Sequence, residues 1–99
     1  MTLRVKVAAK AAAQIRRAAA WWAENRPAAP GAVAKDVGDS IMLLAEQPGI
    51  GTLYEGARTP AVRRLFLRRI GHFLYYRAAG DTLEVLASWH ARRETQPPL

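Results

Sequence analysis

Between positions 61 and 78 the chain has five arginines and no acidic residue. They are Arg63, Arg64, Arg68, Arg69 and Arg77. A guanidinium group is planar and donates parallel hydrogen bonds, so it suits a phosphate or a carboxylate better than a lysine does. Because side chains alternate across a strand, Arg63 and Arg69 are expected on one face, and Arg64 and Arg68 on the other. The segment therefore predicts an anion-binding surface to which only some of these arginines contribute.

The same arginines fit a second interpretation equally well. Charged side chains keep an open sheet face soluble and protect the sheet's edges from pairing with other chains. A run of arginines does not by itself distinguish a binding surface from a solvated one.

A second cationic group follows the last apolar run, where His90 precedes Arg92 and Arg93. A histidine titrates near neutral pH and can act as a general acid or base, although a lone histidine more often has a structural role. Glu84 is the only glutamate in the predicted strands, and no Ser, His and Asp have the spacing of a catalytic triad. We therefore expect no competent proton donor beside His90, which favours a binding protein over an enzyme.

The chain of 99 residues is strongly cationic, with 15 Lys+Arg, 8 Asp+Glu and a formal net charge of +7. Such a surplus favours a polyanion or an acidic protein as the partner. With no cysteine and two histidines, neither a disulfide framework nor a metal site is expected, and no cofactor is expected either. Charges interrupt every apolar stretch well before the length of a membrane span, which predicts a cytoplasmic protein.

The spacing of apolar residues predicts the elements that position these side chains. Leu3–Val7 alternates apolar and basic residues, which predicts a short strand. Residues 8–25 and 30–47 have helical spacing, and the prolines between them predict an antiparallel helical hairpin. Residues 52–61 contain turn-forming residues and predict a surface loop. Three more strands are predicted at 62–70, 72–78 and 82–89.

The order strand, helix, helix, strand, strand, strand predicts an α+β two-layer sandwich with a mainly antiparallel four-stranded sheet. A single domain is expected over residues 1–99, with an ordered core at about 3–93 and a polar tail at 94–99. In the last strand, four apolar side chains are expected to share the face that packs on the helices. They are Leu83, Val85, Ala87 and Trp89.

The sequence leaves open which face of the third predicted strand is exposed. If Leu65 and Leu67 pack under the helices, then Arg64 and Arg68 lie on the open face with Phe66 between them.

Five blocks of the sequence, in this order, resemble the ParE/RelE superfamily of toxins from type II toxin–antitoxin systems. They are Trp21–Pro27 (WWAENRP), Gln47–Gly51 (QPGIG), Val62–Leu65 (VRRL), Phe73–Arg77 (FLYYR) and Val85–Arg93 (VLASWHARR). The resemblance extends over essentially the whole chain. It implies a small basic toxin that a cognate, acidic, ParD-like antitoxin neutralises in a hetero-oligomer. The residues expected to bind the antitoxin are Arg17, Trp21 and Tyr54.

The superfamily divides by target. Its RelE-like members are ribosome-dependent messenger-RNA endoribonucleases that use clustered basic residues and often a tyrosine or a His-Tyr pair near the C-terminal end. Arg64, Arg77 and His90 lie where the resemblance implies catalytic residues, but no tyrosine follows Tyr76 and no lysine follows Lys35. Without those groups, attack by a ribose 2′-hydroxyl lacks its acid and its base.

These departures favour the ParE-like branch, of the plasmid-stabilisation type, whose members inhibit DNA gyrase by binding. The resemblance then implies a target-binding surface of basic residues from the sheet and the C-terminal end. Its expected members are Arg63, Arg64, Arg68, Arg77, His90, Arg92 and Arg93. A ribosome-dependent endoribonuclease remains the alternative, and a degenerate toxin kept only as the antitoxin's partner is a third possibility.

Overall fold

The computed structural model describes residues 2–99. Its helices and strands are β1 (Arg4–Val7), α1 (Ala9–Asn25), α2 (Ala32–Glu46), β2 (Thr52–Leu53), β3 (Arg63–Leu67), β4 (His72–Ala79) and β5 (Thr82–His90), with a 3-10 turn at Pro48–Ile50. The helical hairpin packs on one face of the sheet, so the predicted α+β two-layer sandwich is confirmed.

The sheet has five strands in the order β1-β5-β4-β3-β2. β1 runs parallel to β5, and all the other pairs are antiparallel. The fifth strand is β2, in which Thr52 pairs with Arg64 and Leu53 with Arg63. It lies at the start of the segment predicted as a loop. The sequence does not predict this strand, because two residues are too few to show the alternation of a strand.

Small side chains and a proline shape the helical layer. The amide of Arg26 closes the last turn of α1 on the Trp22 carbonyl at 2.8 Å, and Pro27 then disfavours the helical conformation for the residue before it. Ala11 and Ala18 of α1 are buried, which lets this helix lie close to its neighbours. Neither helix in the described part of the chain is long and apolar enough to cross a membrane.

Leu65 and Leu67 of β3 belong to the core that the helices cover, together with Leu83 and Val85 of β5. Arg64 and Phe66 therefore face away from the helices, as predicted for that parity. Arg68 differs from the expectation, because β3 ends at Leu67 and the chain has turned before it can place Arg68 on the open face.

A β-bulge reverses the faces within β5. Tyr76 pairs with Val85 but Tyr75 pairs with Ala87, so Leu86 has no partner across the ladder. Ala87 and Trp89 consequently lie on the face opposite the helices, in a second cluster with Tyr75. The prediction that they pack under the helices is wrong, because one extra residue shifts the two-residue alternation.

The second cluster is covered in part by residues 94–99, which form no helix or strand. The Trp89 indole Nε1 donates to the Thr95 carbonyl at 2.7 Å, and the Tyr75 hydroxyl donates to Gln96 Oε1 at 3.2 Å. The Leu99 carbonyl accepts from the amide of Thr59 at 3.0 Å. The sheet face opposite the helices is therefore only partly open.

Candidate functional site

Six of the seven predicted target-binding residues lie on two separate surfaces, because the sheet divides them. Arg64, Arg77 and Arg93 lie on the face opposite the helices, whereas Arg68, His90 and Arg92 lie beside the end of α1.

Arg64 lies against aromatic rings of its own sheet face. Its guanidinium carbon is 4.2 Å from the ring centroid of Phe73 and 5.3 Å from that of Tyr54, and its Nη1 donates to the Tyr75 hydroxyl at 3.2 Å. A cation over an aromatic face is held by the ring's quadrupole. Arg64 therefore stabilises this face of the sheet, and only part of its hydrogen-bonding capacity remains for a ligand.

The other two arginines of this face are also placed by the protein itself. Arg77 is half-buried across from Glu84, and within residues 2–99 its buried Nε has no hydrogen-bond partner. The guanidinium of Arg93 lies 3.7 Å from the Trp89 ring centroid. Arg93 thus borders the second cluster.

Arg63, on the helix-facing side of β3, belongs to neither surface. Its Nη1 donates to the Gly51 carbonyl at 2.7 Å and so attaches the start of β2 to β3. This contact gives Arg63 a structural role.

The second surface is a groove of about 820 Å³ between the C-terminal half of α1, the β3–β4 turn and the end of β5. We call it the basic groove. Its cationic or titratable lining residues are Arg26, Arg68, Arg69, Arg92, His72 and His90. Its aromatic lining residues are Trp21, Trp22 and Phe66. No acidic side chain of the described chain lines it, and its volume falls within the range of about 300–1,000 Å³ that is typical of ligand sites.

Two of the groove's arginine side chains already contact other side chains of the protein. Arg69 Nη1 lies 3.7 Å from Asp36 Oδ1, and the Arg26 guanidinium lies 5.5 Å from the Trp21 ring centroid. By contrast, Arg68 and Arg92 are exposed, and no carboxylate within residues 2–99 forms an ion pair with either. These two are the side chains best placed to receive an anion.

His72 and His90 are partners across β4 and β5, with ring centroids 5.2 Å apart. The amide of Arg92 donates to His90 Nδ1 at 3.0 Å, so the proton of the neutral His90 ring is on Nε2. His72 Nδ1 lies 3.3 Å from Ser88 Oγ. Burial lowers the pKa of His72 below its ordinary value, and the nearby charge of His90 lowers it further.

This pair corrects the expectation that no titratable partner lies beside His90. His72 was overlooked because an uninterrupted hairpin register, starting from Ala79 opposite Thr82, places it opposite Trp89. The bulge moves His90 into that position. No signal in the composition marks the bulge, since Leu86 is apolar like its neighbours.

The three side chains expected to form the catalytic site of a RelE-like nuclease do not lie together. Arg64 and Arg77 lie on one face of the sheet and His90 on the other. Nor do three His, Asp or Glu side chains in the described residues lie close enough to hold a metal ion.

The three expected antitoxin contacts are divided as well. Arg17 and Trp21 are exposed and one turn apart on α1, with half of the Trp21 surface accessible to solvent. Tyr54 lies on the opposite face, where its ring packs edge-on against Tyr75 at 5.1 Å. A single helix bound along α1 would contact the first two residues only.

Fold and site together define a small two-layer α+β domain with a basic groove that suits an anionic partner. Residues 5–95 match the family model described as the ParE toxin of the type II toxin–antitoxin system parDE. The chain belongs to this ParE toxin family and is a toxin of the type II toxin–antitoxin class.

A solved structure with the same fold is described as the chromosomal ParDE TA system from P. aeruginosa. It aligns with a TM-score of 0.74 at 20% sequence identity, over 92% of this chain and 98% of that one. No curated protein sequence matches this chain. The resemblance to ParE-like toxins that the sequence motifs suggest is confirmed by the family match.

Proposed function

We propose that this toxin binds DNA gyrase in the cytoplasm and inhibits it, and that the basic groove is its target-binding surface. The supporting observation is the contrast between the two cationic surfaces. Arg64 and Arg93 are engaged by aromatic rings of the protein itself, whereas Arg68 and Arg92 are exposed and free of carboxylate partners within residues 2–99. Unpaired guanidinium groups beside a concave surface favour an anionic target over simple solvation.

We further propose that an acidic, ParD-like antitoxin neutralises the toxin by binding along α1 and the free edge of β1. β1 has a hydrogen-bonded neighbour on one side only, and Val5 and Val7 are exposed there next to Arg4 and Lys6. An extended acidic segment can add a strand to such an edge. A following helix over Trp21 would then cover the mouth of the basic groove. The ParDE description of the similar solved structure supports this pairing.

The test is a supercoiling assay with purified toxin, gyrase and relaxed plasmid. We expect loss of supercoiling and trapped cleavage complexes, both reversed by the antitoxin. Arg92→Ala should weaken inhibition, while Arg16→Ala removes the same charge from an exposed position of α1 outside the groove and should not. Unaltered supercoiling at saturating toxin would contradict the proposed target.

The His72–His90 pair supports a second candidate, a ribosome-dependent endoribonuclease. His72, whose pKa is lowered, could accept the proton of a ribose 2′-hydroxyl and, once protonated, return it to the departing 5′-oxygen, to which the Nε2–H of His90 could donate a hydrogen bond. Toeprinting on translating ribosomes would then show new messenger cuts that disappear in His90→Gln. Messenger that stays intact with the active toxin would eliminate this candidate.

A further inference from the structure

We propose that the basic groove binds single-stranded nucleic acid, with a phosphate between Arg68, Arg92 and the His72–His90 pair and an adjacent base stacked on Trp21. This inference rests on the proposed function for the groove's role as a binding surface, and it goes beyond that function by assigning a nucleic-acid strand to the groove as a ligand.

Charge and hydrogen-bonding geometry favour a phosphate. The two unpaired arginines approach the groove from different elements, Arg68 from the β3–β4 turn and Arg92 from beyond β5. His90 lines the same groove, and because its Nδ1 accepts from the Arg92 amide, its Nε2–H remains as a donor. Donors that surround one space from several sides suit the tetrahedral oxygens of a phosphate better than a planar carboxylate.

The aromatic lining favours a nucleic acid over an acidic peptide. Trp21 lies on the same groove with half of its surface exposed, and it meets Trp22 edge-on at 6.3 Å between ring centroids. A large exposed aromatic ring beside a basic channel is the arrangement on which successive bases stack in single-strand binding sites. Phe66, also exposed, adds to the apolar lining of the groove.

The groove suits a single strand better than a duplex. It is formed where a helix, a turn and a strand end meet, and no helix projects from it to enter a major groove. A flexible strand can place a phosphate in the groove and rotate the neighbouring base onto Trp21. A rigid duplex keeps its bases stacked on each other.

The experiment uses the isolated toxin chain and a short fluorescein-labelled oligothymidylate, with binding followed by fluorescence anisotropy at several salt concentrations. We expect Arg92→Ala and Arg68→Ala to weaken binding about tenfold each, as for the loss of one charge-assisted hydrogen bond. The slope of log K against log salt should also fall by about 0.7 in each variant. Trp21→Ala should weaken binding about tenfold without changing the slope, because stacking releases no counterion.

Arg16→Ala is the matched control and should change neither affinity nor slope beyond a general charge effect. Equal losses in Arg16→Ala and Arg92→Ala would overturn the proposal in favour of diffuse attraction. Polyglutamate that competes as well as oligothymidylate would overturn it in favour of an acidic protein segment. The same measurement with oligouridylate shows whether the ribose 2′-hydroxyl contributes to affinity, and so whether the bound strand is DNA or RNA.

Failure of this inference is distinguishable from failure of the proposed target. A toxin that inhibits gyrase but binds no oligonucleotide would refute the nucleic-acid site alone. A toxin that binds the oligonucleotide through Arg92 and Trp21 but leaves gyrase active would refute the gyrase target alone.

Discussion

Replacing Tyr76 by phenylalanine should destabilise the protein strongly although it removes a single oxygen atom. Tyr76 is fully buried, and its hydroxyl donates to the Pro48 carbonyl at 2.6 Å and accepts from the buried Gly51 amide at 2.8 Å. Both backbone groups lose this partner in Tyr76→Phe, because phenylalanine has no group that donates or accepts a hydrogen bond at that position. The hydroxyl thus attaches the 3-10 turn and the start of β2 to the centre of the sheet.

The size of the effect follows from the two groups left without partners. An unsatisfied buried group costs about 1–3 kcal/mol, and the half-buried Pro48 carbonyl should cost less than the Gly51 amide because water can reach it. We therefore expect a loss of about 2–4 kcal/mol from a total of roughly 5–15 kcal/mol. For a domain of this size, that lowers the melting temperature by about 10–20 °C.

Urea and thermal unfolding, followed by circular dichroism, measure this loss. Tyr54→Phe is the matched control, since within residues 2–99 its hydroxyl forms no hydrogen bond, and it should change stability by less than about 0.5 kcal/mol. Burial also raises the pKa of Tyr76, so the unfolded chain deprotonates first and wild-type stability should fall as the pH rises above about 10. Tyr76→Phe should lack this component. A variant as stable as the wild type would refute the reasoning.

Three further substitutions test other parts of the account. Arg64→Ala should lower the free energy of unfolding by about 1–2 kcal/mol, because the guanidinium stacks on Phe73; an unchanged urea midpoint would contradict this structural role. The depressed pKa of His72 means that wild-type stability is lost as the pH falls below about 6.5, and unfolding curves of His72→Gln should show a smaller loss. Ala61 has a φ of 61°, a conformation that glycine adopts more readily than alanine. Ala61→Gly should therefore raise the free energy of unfolding by about 0.5–1 kcal/mol and with it the melting temperature. A lower melting temperature would show that the turn gains nothing from glycine.

The helical hairpin and the order of the main helices and strands along the chain could be predicted because long apolar periods and prolines mark them in the sequence. The parity of β3 could be stated only as a condition, since Leu65 and Phe66 are both apolar and either could face the helices. Packing decides it, because the helices cover Leu65 and Leu67 while Phe66 stays exposed. The sequence predicts a loop where β2 lies and a polar tail at 94–99, because the pairing of β2 and the contacts of the tail both depend on partners distant in the sequence.

The single residue inserted at Leu86 determines how the site is built. Before the bulge, Leu83 and Val85 complete the core under the helices; after it, Trp89 moves to the far face, where Arg93 stacks on it. The same shift moves His90 to the helix side.

Without the bulge, His90 would join Arg64 on one face, which is the arrangement expected of a nuclease. With the bulge, the histidine lies beside α1, and Arg64 and Arg93 of the sheet face stack on aromatic rings. The register of one hairpin therefore separates the guanidinium groups that stabilise the fold from those left free in the basic groove. Substitutions on the two surfaces should accordingly affect stability and binding independently, since the two sets of side chains share no partner.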